Sequence, residues 1–429
     1  PASAHKYPLA ILLVKCESTL CVVSNNFPRN LAHSVRLGRD EEHHLDPQVL
    51  PMMQIILSCA VVAVLVISLV LLVRCGRLIL TGRTPTRFFA FFAILFTSGL
   101  DVGLIMFPLT EFPIYEARKI YGFTNPIAIE FGFWGFYIWL FYFLTTFYFC
   151  LVEPRLKIFE IPWVKKVNNA TIIATCAFTG YLFLQYLPDY VLGISPFYTF
   201  TFVGLVVLAA VISSTDIRYL KILSLASTWL FFALIIAMWA FGGLGLSGLA
   251  TNMAQLGGYF SNIHRFIFPL SDYHAFYLFW WFAWSIMIGQ FVSRFVGGLR
   301  TWQLLLSLLL IPSIPIALWF SVLFGVYEQG LEITGYMNVL MVLVGTIFVT
   351  NSLDSLTRLY SENLHLTVSR LGMKKYILGH WALLYSLILL YQFTPLQIEW
   401  IGLVVIFLYA AVAGLTYRRR HDLAASFKA

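Results

Sequence analysis

The sequence predicts an all-α polytopic membrane protein with about 11 transmembrane helices. Three observations predict it. The 429 residues are 60% hydrophobic and 11% charged, whereas soluble globular chains carry about 25% charged residues, so lipid must supply most of the solvent. Apolar stretches of about 20 residues, enough to cross roughly 30 Å of hydrocarbon, recur along the chain. Lys and Arg gather in every second loop between them, as the positive-inside bias produces.

The order of elements follows from these signals. Residues 1–50 read as an extracytoplasmic tail: its apolar run 8–14 is too short to span and is followed by Lys15 and Glu17. Cys16 and Cys21 would pair in an oxidising compartment; Cys59, Cys75, Cys150 and Cys176 fall within or beside apolar spans, where Cys acts as a small hydrophobe. The run Arg39-Asp40-Glu41-Glu42-His43-His44 reads as a solvated turn, with a His43/His44 metal pair the rarer alternative. The spans are 52–74, 87–108, 128–152, 168–187, 196–214, 221–243, 275–296, 302–325, 337–357, 377–393 and 398–416.

Loop charge tests that count. Arg74, Arg77, Arg83 and Arg87 follow the first span; Arg155, Lys157, Lys165 and Lys166 come two spans later. Arg218 and Lys221, Arg294 and Arg300, Arg358 to Lys375, and Arg418 to Arg420 continue the alternation. The intervening loops carry Glu111, Glu116, Asp189, Glu328, Glu332 and Glu399, with Arg118, Lys119 and Arg265 as exceptions. This pattern places the C-terminus in the cytoplasm and the tail outside. The formal charge of +8 is thereby explained by orientation, and no basic stripe supports nucleic-acid binding. Residues 244–274 are Gly-rich, and Tyr259 to Phe266 read as an interfacial amphipathic helix. Two readings stand for it, a plain link between halves or a movable gate.

Polar positions inside spans are informative because each costs free energy in lipid unless partnered. Thr97-Ser98-Gly99-Leu100-Asp101-Val102-Gly103, followed by Pro108, sets an aspartate between glycines at membrane depth. Broken helix is tolerated there only where it is buried in protein or lines a cavity, so close packing competes with a binding or ion site. Tyr277, Trp281, Trp284 and Ser285 share one helical face. Such a stripe is ordinarily packing, but Trp faces also bind quaternary ammonium, at about 2 kcal/mol or more each when desolvated. Thr350-Asn351-Ser352-Leu353-Asp354-Ser355 reads either as helix capping at the cytoplasmic end of its span or as oxygen ligands for a hard cation. No nucleophile–base pair, phosphate-cradling loop or metal-ligand spacing is present. An enzyme is therefore disfavoured.

Residues 276–301, FYLFWWFAWSIMIGQFVSRFVGGLRT, resemble the hallmark segment of the betaine/choline/carnitine transporter family, which has Phe-Tyr, Trp-Trp, Ser-Trp-Ser-Pro, Gly, Arg and Gly-Arg-Thr at this spacing. The likeness continues through Pro312, Trp319-Phe320 and Phe324-Gly325. Upstream, Gly76-Arg77, Ser98 to Leu104, Phe107 and Glu111 resemble the family's Gly-Met-Gly-Ile-Gly segment and its following Glu-Pro. Residues 351–355 resemble its Thr-Ser-Ala-Asp-Ser, and the likeness runs in order over about 70–417.

The resemblance implies a leucine-transporter-type core of five plus five helices in inverted repeat, the first helix of each half unwound at the midplane. The division is then a tail 1–50, a peripheral helix and basic loop 51–86, a first repeat 87–243, a linker 244–274, a second repeat 275–417 and a cytoplasmic tail 418–429. It implies a substrate cage with Trp281, its neighbours Trp280 and Trp284, and a second wall of Phe131, Phe136 and Trp139, beside Gly99, Asp101 and Gly103. It implies a sodium site at Thr97, Leu100, Phe348, Asn351 and Ser352. No organic cofactor is implied; Na+ or H+ would be the coupling ion, lipid and a quaternary-ammonium solute the partners, and a homotrimer the assembly.

The departures from the family pattern define the expectations further. The usual first of twelve spans is replaced by the tail, Ile286 replaces Pro, and Asn351 replaces Thr. Phe131 and Phe136 stand where Trp is usual, and Phe is the weaker cation–π surface. Asp101 replaces the middle Gly, which would favour a true cation such as choline over zwitterionic betaine, or carry a proton in place of a coupling ion. The first functional expectation is an ion-coupled secondary transporter of quaternary-ammonium solutes working by alternating access. The alternative is a transporter-derived, non-transporting subunit that docks to partner membrane proteins.

Overall fold

The apolar runs fold as helices because no water in hydrocarbon can satisfy backbone N–H and C=O groups. In the computed structural model, which describes residues 49–98, 103–191 and 193–427, the protein is all-α apart from one short ribbon. The helices are α1 (Val49–Cys75), α2 (Phe88–Ser98), α3 (Gly103–Met106), α4 (Pro108–Ala117), α5 (Pro126–Trp134), α6 (Trp139–Leu151), α7 (Pro162–Tyr190), α8 (Pro196–Ser213) and α9 (Ile217–Gly242). After the linker helix α10 (Leu246–Gln255) come α11 (Asp272–Val292), α12 (Thr301–Leu310), α13 (Ser313–Glu328), α14 (Tyr336–Asn363), α15 (Met373–Phe393) and α16 (Ile398–Arg418). Single turns join several of them. The tail 1–48, with Cys16, Cys21, His43 and His44, lies outside the described residues.

Ten helical stretches among the described residues are long and apolar enough to cross a membrane. They match the predicted spans except 87–108, which is realised as α2 and the single turn α3 on either side of residues 99–102. The stretches differ in depth. Those over Pro126–Leu151 and Asp272–Phe295 are 89% buried within the bundle, whereas Pro51–Cys75 is 22% buried. The first two are therefore central, and α1 is peripheral, turning Ile55, Val66, Leu69 and Val73 outward. The expected unwinding of the first helix of the second half is not observed: α11 runs unbroken from Asp272 to Val292.

Basic loops distant in sequence meet at one end of the bundle, as the charge alternation requires. Strand β1 (Ile79–Thr81) pairs antiparallel with β2 (Gly297–Arg300). The Gly82 N–H donates to the Val296 carbonyl and the Thr84 N–H to that of Arg294, both at 2.8 Å. At the same end Arg294 reaches Glu362 (2.5 Å) and the Arg419 guanidinium donates to the Leu156 carbonyl (3.1 Å). Here Glu153 fastens the turn after α6: its carboxylate accepts from the N–H of Phe159 (2.9 Å), the Tyr148 hydroxyl (3.0 Å) and the N–H of Ile158 (3.1 Å). Burial nevertheless pushes its carboxyl from 4.5 up to about 7. The folded state then holds this proton more tightly than the unfolded chain, so the stability it lends is fully present below about 4.5 and is lost as pH rises towards about 7. Over that window the melting temperature of the wild type is expected to fall relative to Glu153→Gln. Parallel curves would contradict it.

Glycines set the helix separations at the centre. A Cβ at Gly402 on α16 would stand 2.4 Å from the carbonyl oxygen of Phe279 on α11, and one at Gly289 would stand 2.1 Å from Oγ1 of Thr145 on α6. The Gly402 neighbour is backbone and cannot rotate away. Gly402→Ala is expected to cost about 1–3 kcal/mol of stability, read as a lower melting temperature in detergent.

Other expectations shift. Residues 350–355 lie inside α14 rather than at its end, and Asn351, Ser352, Asp354 and Ser355 are fully buried, so helix capping does not explain them. The segment 259–266 is built of short turns rather than one interfacial helix. Its Tyr259 and Phe266 are buried in protein, Phe266 filling the space a Cβ at Gly132 would need.

Candidate functional site

The third predicted span is broken in its middle. Helix α5 ends at Trp134; Gly135 is extended, and Phe136 takes a positive φ of 44° before α6 begins at Trp139. A non-glycine residue in that region costs about 1–3 kcal/mol and persists only where its surroundings hold it. Here the Phe136 N–H donates to Ser313 Oγ on α13 (2.9 Å) and the Tyr137 N–H to the Tyr259 hydroxyl (3.3 Å). The break brings the aromatic residues at its two rims into one cluster, with Trp134 and Trp139 both fully buried.

The cluster is centred on α11. Trp281 is anchored by donation from its Nε1 to the Phe133 carbonyl at 2.8 Å. Its ring meets Trp134 at 5.4 Å and 85°, and Tyr142 at 6.2 Å and 71°; Tyr142 in turn meets Trp139 at 5.1 Å and 82°. Near-perpendicular neighbours at these separations pack edge to face, as aromatic pairs prefer, and these four rings make up the aromatic box. Trp280 backs the box, stacked on Trp281 at 5.5 Å and edge-on to Trp134 at 5.4 Å. The indole Nε1 groups of Trp139, Trp280 and Trp284 are buried with no hydrogen bond, each at a cost of about 1–3 kcal/mol.

The structure thus brings Trp280, Trp281 and Trp139 together, with Trp284 buried a turn along α11. Phe131 and Phe136 do not join them. Their rings turn to Tyr259 (5.3 Å) and Phe260 (5.3 Å) of the linker. The rings against Trp281 are Trp134 and Tyr142, which the sequence reading did not single out because it took that wall from the family resemblance.

Of the residues expected around the second span, Gly103 opens α3, where its carbonyl accepts from the Phe107 N–H at 2.9 Å. Gly99, Leu100 and Asp101 lie outside the described residues, and Thr97 sits in the last turn of α2. The α14 members of the expected ion site are buried, and Phe348 meets Phe96 of α2 edge-on at 6.2 Å. Asn351 Oδ1 accepts from Ser224 on α9 at 3.3 Å. No cluster of metal-binding side chains occurs among the described residues.

A second group was not foreseen. Glu111, read as a loop charge, is 1% exposed, and Glu130 on α5 is 0% exposed. Both converge with Tyr115, Tyr273 and Tyr277 one turn from the box. The available signal was an acidic residue inside an apolar span. A polar cavity of ≈ 130 Å³ opens among the basic loops, lined by Arg83, Glu153, Lys165, Asn168, Gln290 and Arg294.

Together, these features define a polytopic helical membrane protein with an aromatic box at a helix break in its most buried pair of spans. The family model described as "BCCT, betaine/carnitine/choline family transporter" matches residues 170–329, so the resemblance carried by residues 276–301 is borne out. The glycine betaine transporter OpuD of Bacillus subtilis (strain 168) is 24% identical over 301 residues, 58% of this chain and 57% of that protein. A glycine betaine transporter of Acinetobacter baylyi is 23% identical over 274 residues, 54% of this chain and 41% of that protein. The chain thus spans about half the length of the curated relatives it matches. A solved Na+-coupled sialic acid symporter overlaps 83% of this chain and 82% of its own, at 16% identity and a TM-score of 0.44. These relatives are transporters rather than enzymes.

Proposed function

We propose that the chain is a secondary active transporter of quaternary-ammonium solutes of the glycine betaine and choline type, working by alternating access and coupled to Na+ or H+. The observation that carries the reading is the box of Trp134, Trp139, Tyr142 and Trp281. A quaternary ammonium cannot donate a hydrogen bond, so desolvated aromatic faces are its natural binding surface. The buried Trp139 indole N–H, which lacks an acceptor, suits the carboxylate or hydroxyl at the other end of such a solute. The names of the matching relatives support the same substrate class.

The experiment is uptake of labelled glycine betaine and choline into proteoliposomes under an imposed Na+ or H+ gradient, with tryptophan fluorescence as the binding readout. Gradient-dependent uptake of either solute is expected. Neither uptake nor a fluorescence response to either solute would overturn the reading and leave the non-transporting subunit as the alternative.

A further inference from the structure

The group beside the box has a proton count that does not close with both carboxyls ionised. The Tyr115 hydroxyl lies 2.6 Å from Glu111 Oε2 and 2.7 Å from Glu130 Oε2. A hydroxyl has one proton and donates it once. Were both carboxyls ionised, one of these two short contacts would set lone pair against lone pair in a buried site. Glu111 is the better served: it also accepts from the hydroxyls of Tyr273 and Tyr277, the latter at 2.9 Å. Glu130 has one hydroxyl donor, Tyr115, and lies beside the Glu111 carboxyl itself. The Trp134 indole stands beside the Glu130 carboxyl, yet neither Trp134 Nε1 nor Glu130 Oε1 makes a hydrogen bond of normal geometry.

Among the described residues no countercharge relieves the pair. None of the ion pairs formed among the described residues includes either carboxyl. The titratable groups facing them are Tyr115 on α4, Tyr186 and Tyr190 on α7, and Tyr273 and Tyr277 on α11. Arg118 and Asp272 stand further out, beside Tyr121. Two buried carboxylates this close, without a cation, cannot both stay ionised at reasonable cost; such pairs share a proton.

We propose that Glu111 and Glu130 form a proton-binding site that shares one exchangeable proton at neutral pH, held on the Glu130 side of the Tyr115 hydroxyl. Glu130 then donates to the Tyr115 oxygen, Tyr115 donates to Glu111 Oε2, and every short contact has one proton. The site joins α4, α5 and α11, and it adjoins the box directly: Glu130 is one turn before Trp134, and Tyr277 meets Trp134 edge-on at 5.6 Å. The inference goes beyond the transport reading and does not rest on it, since the proton is bound whatever the bundle carries.

Infrared difference spectroscopy of the full chain in lipid tests it. At neutral pH the wild type minus Glu130→Gln spectrum is expected to show a protonated carboxylic acid band that shifts in D2O and disappears at alkaline pH. Glu111→Gln should move the band and shift its titration to lower pH, because the neighbouring carboxyl no longer opposes ionisation of Glu130. Tyr115→Phe should keep the band and move its frequency. Titration of the wild-type band with pH gives the same answer should a variant fail to fold. A band unaffected by either Gln substitution would overturn the proposal. So would a band lost when N-methyl-D-glucamine in the buffer is replaced by Na+, which would assign the pair to a metal cation.

Discussion

Replacing Trp281 by alanine is expected to raise the KM for glycine betaine or choline by about 30-fold or more. A desolvated Trp face contributes about 2 kcal/mol or more to a bound quaternary ammonium, and about 1.4 kcal/mol is a tenfold change. Trp281 also anchors the geometry of its neighbours, because its Nε1 holds the Phe133 carbonyl at the end of α5. Trp134→Ala should show a comparable loss, and the double variant less than the product, since contacting residues do not add. Trp281→Phe retains a ring and should lose less. Trp229, 63% exposed on the lipid side of α9, is the control, and its alanine variant should leave KM unchanged. Equal KM for Trp281→Ala and Trp229→Ala would remove the box from the binding site.

Removing Arg358 is expected to cost about 3–5 kcal/mol of stability, because it strands a buried charge. Asp354 on α14 is fully buried, and its Oδ1 accepts from Arg358 Nη2 at 2.8 Å while Oδ2 accepts from Ser213 at 2.8 Å. The same guanidinium nitrogen donates to the carbonyls of Ser213 (3.3 Å) and Asp216 (3.2 Å), tying α14 to the turn after α8. Arg358→Met leaves Asp354 with only the Ser213 hydroxyl. The double variant Asp354→Leu/Arg358→Met removes both charges and should recover most of the loss, since apolar replacement of a buried pair is often near neutral. Thermal unfolding in detergent reads both. A single variant as stable as the double would show that Asp354 is not stranded.

Much of the scaffold was legible because membrane physics writes it in one dimension. Spans appear as apolar runs, and sidedness as loop charge. Here the loops grouped by charge, around Arg83, Arg294 and Lys165, do meet at one end. The Trp280-Trp281 pair was legible because it lies in the segment, 276–301, that carries the family resemblance. The residues facing it were not. The break at Gly135 and Phe136 re-phases α6 against α5, so which rings of the two helices face Trp281 cannot be read from spacing along one continuous helix. The Glu111–Glu130 pair was hidden for another reason. Its partners are separated by a turn and a short 3-10 segment, so one carboxyl read as a loop charge and the other was lost in an apolar span.

The β1–β2 ribbon has a mechanical consequence. It clamps the chain after α1 to the chain after α11, and beyond the ladder the N–H of Trp302 also reaches the Gly76 carbonyl at 3.2 Å. A lipid-facing helix is thereby leashed to the helix that carries the box. Displacement of the β2 end of α11 would pull on α1, so the resistance of surrounding lipid to α1 would load the central helix. In that sense the bilayer would act as a spring on α11.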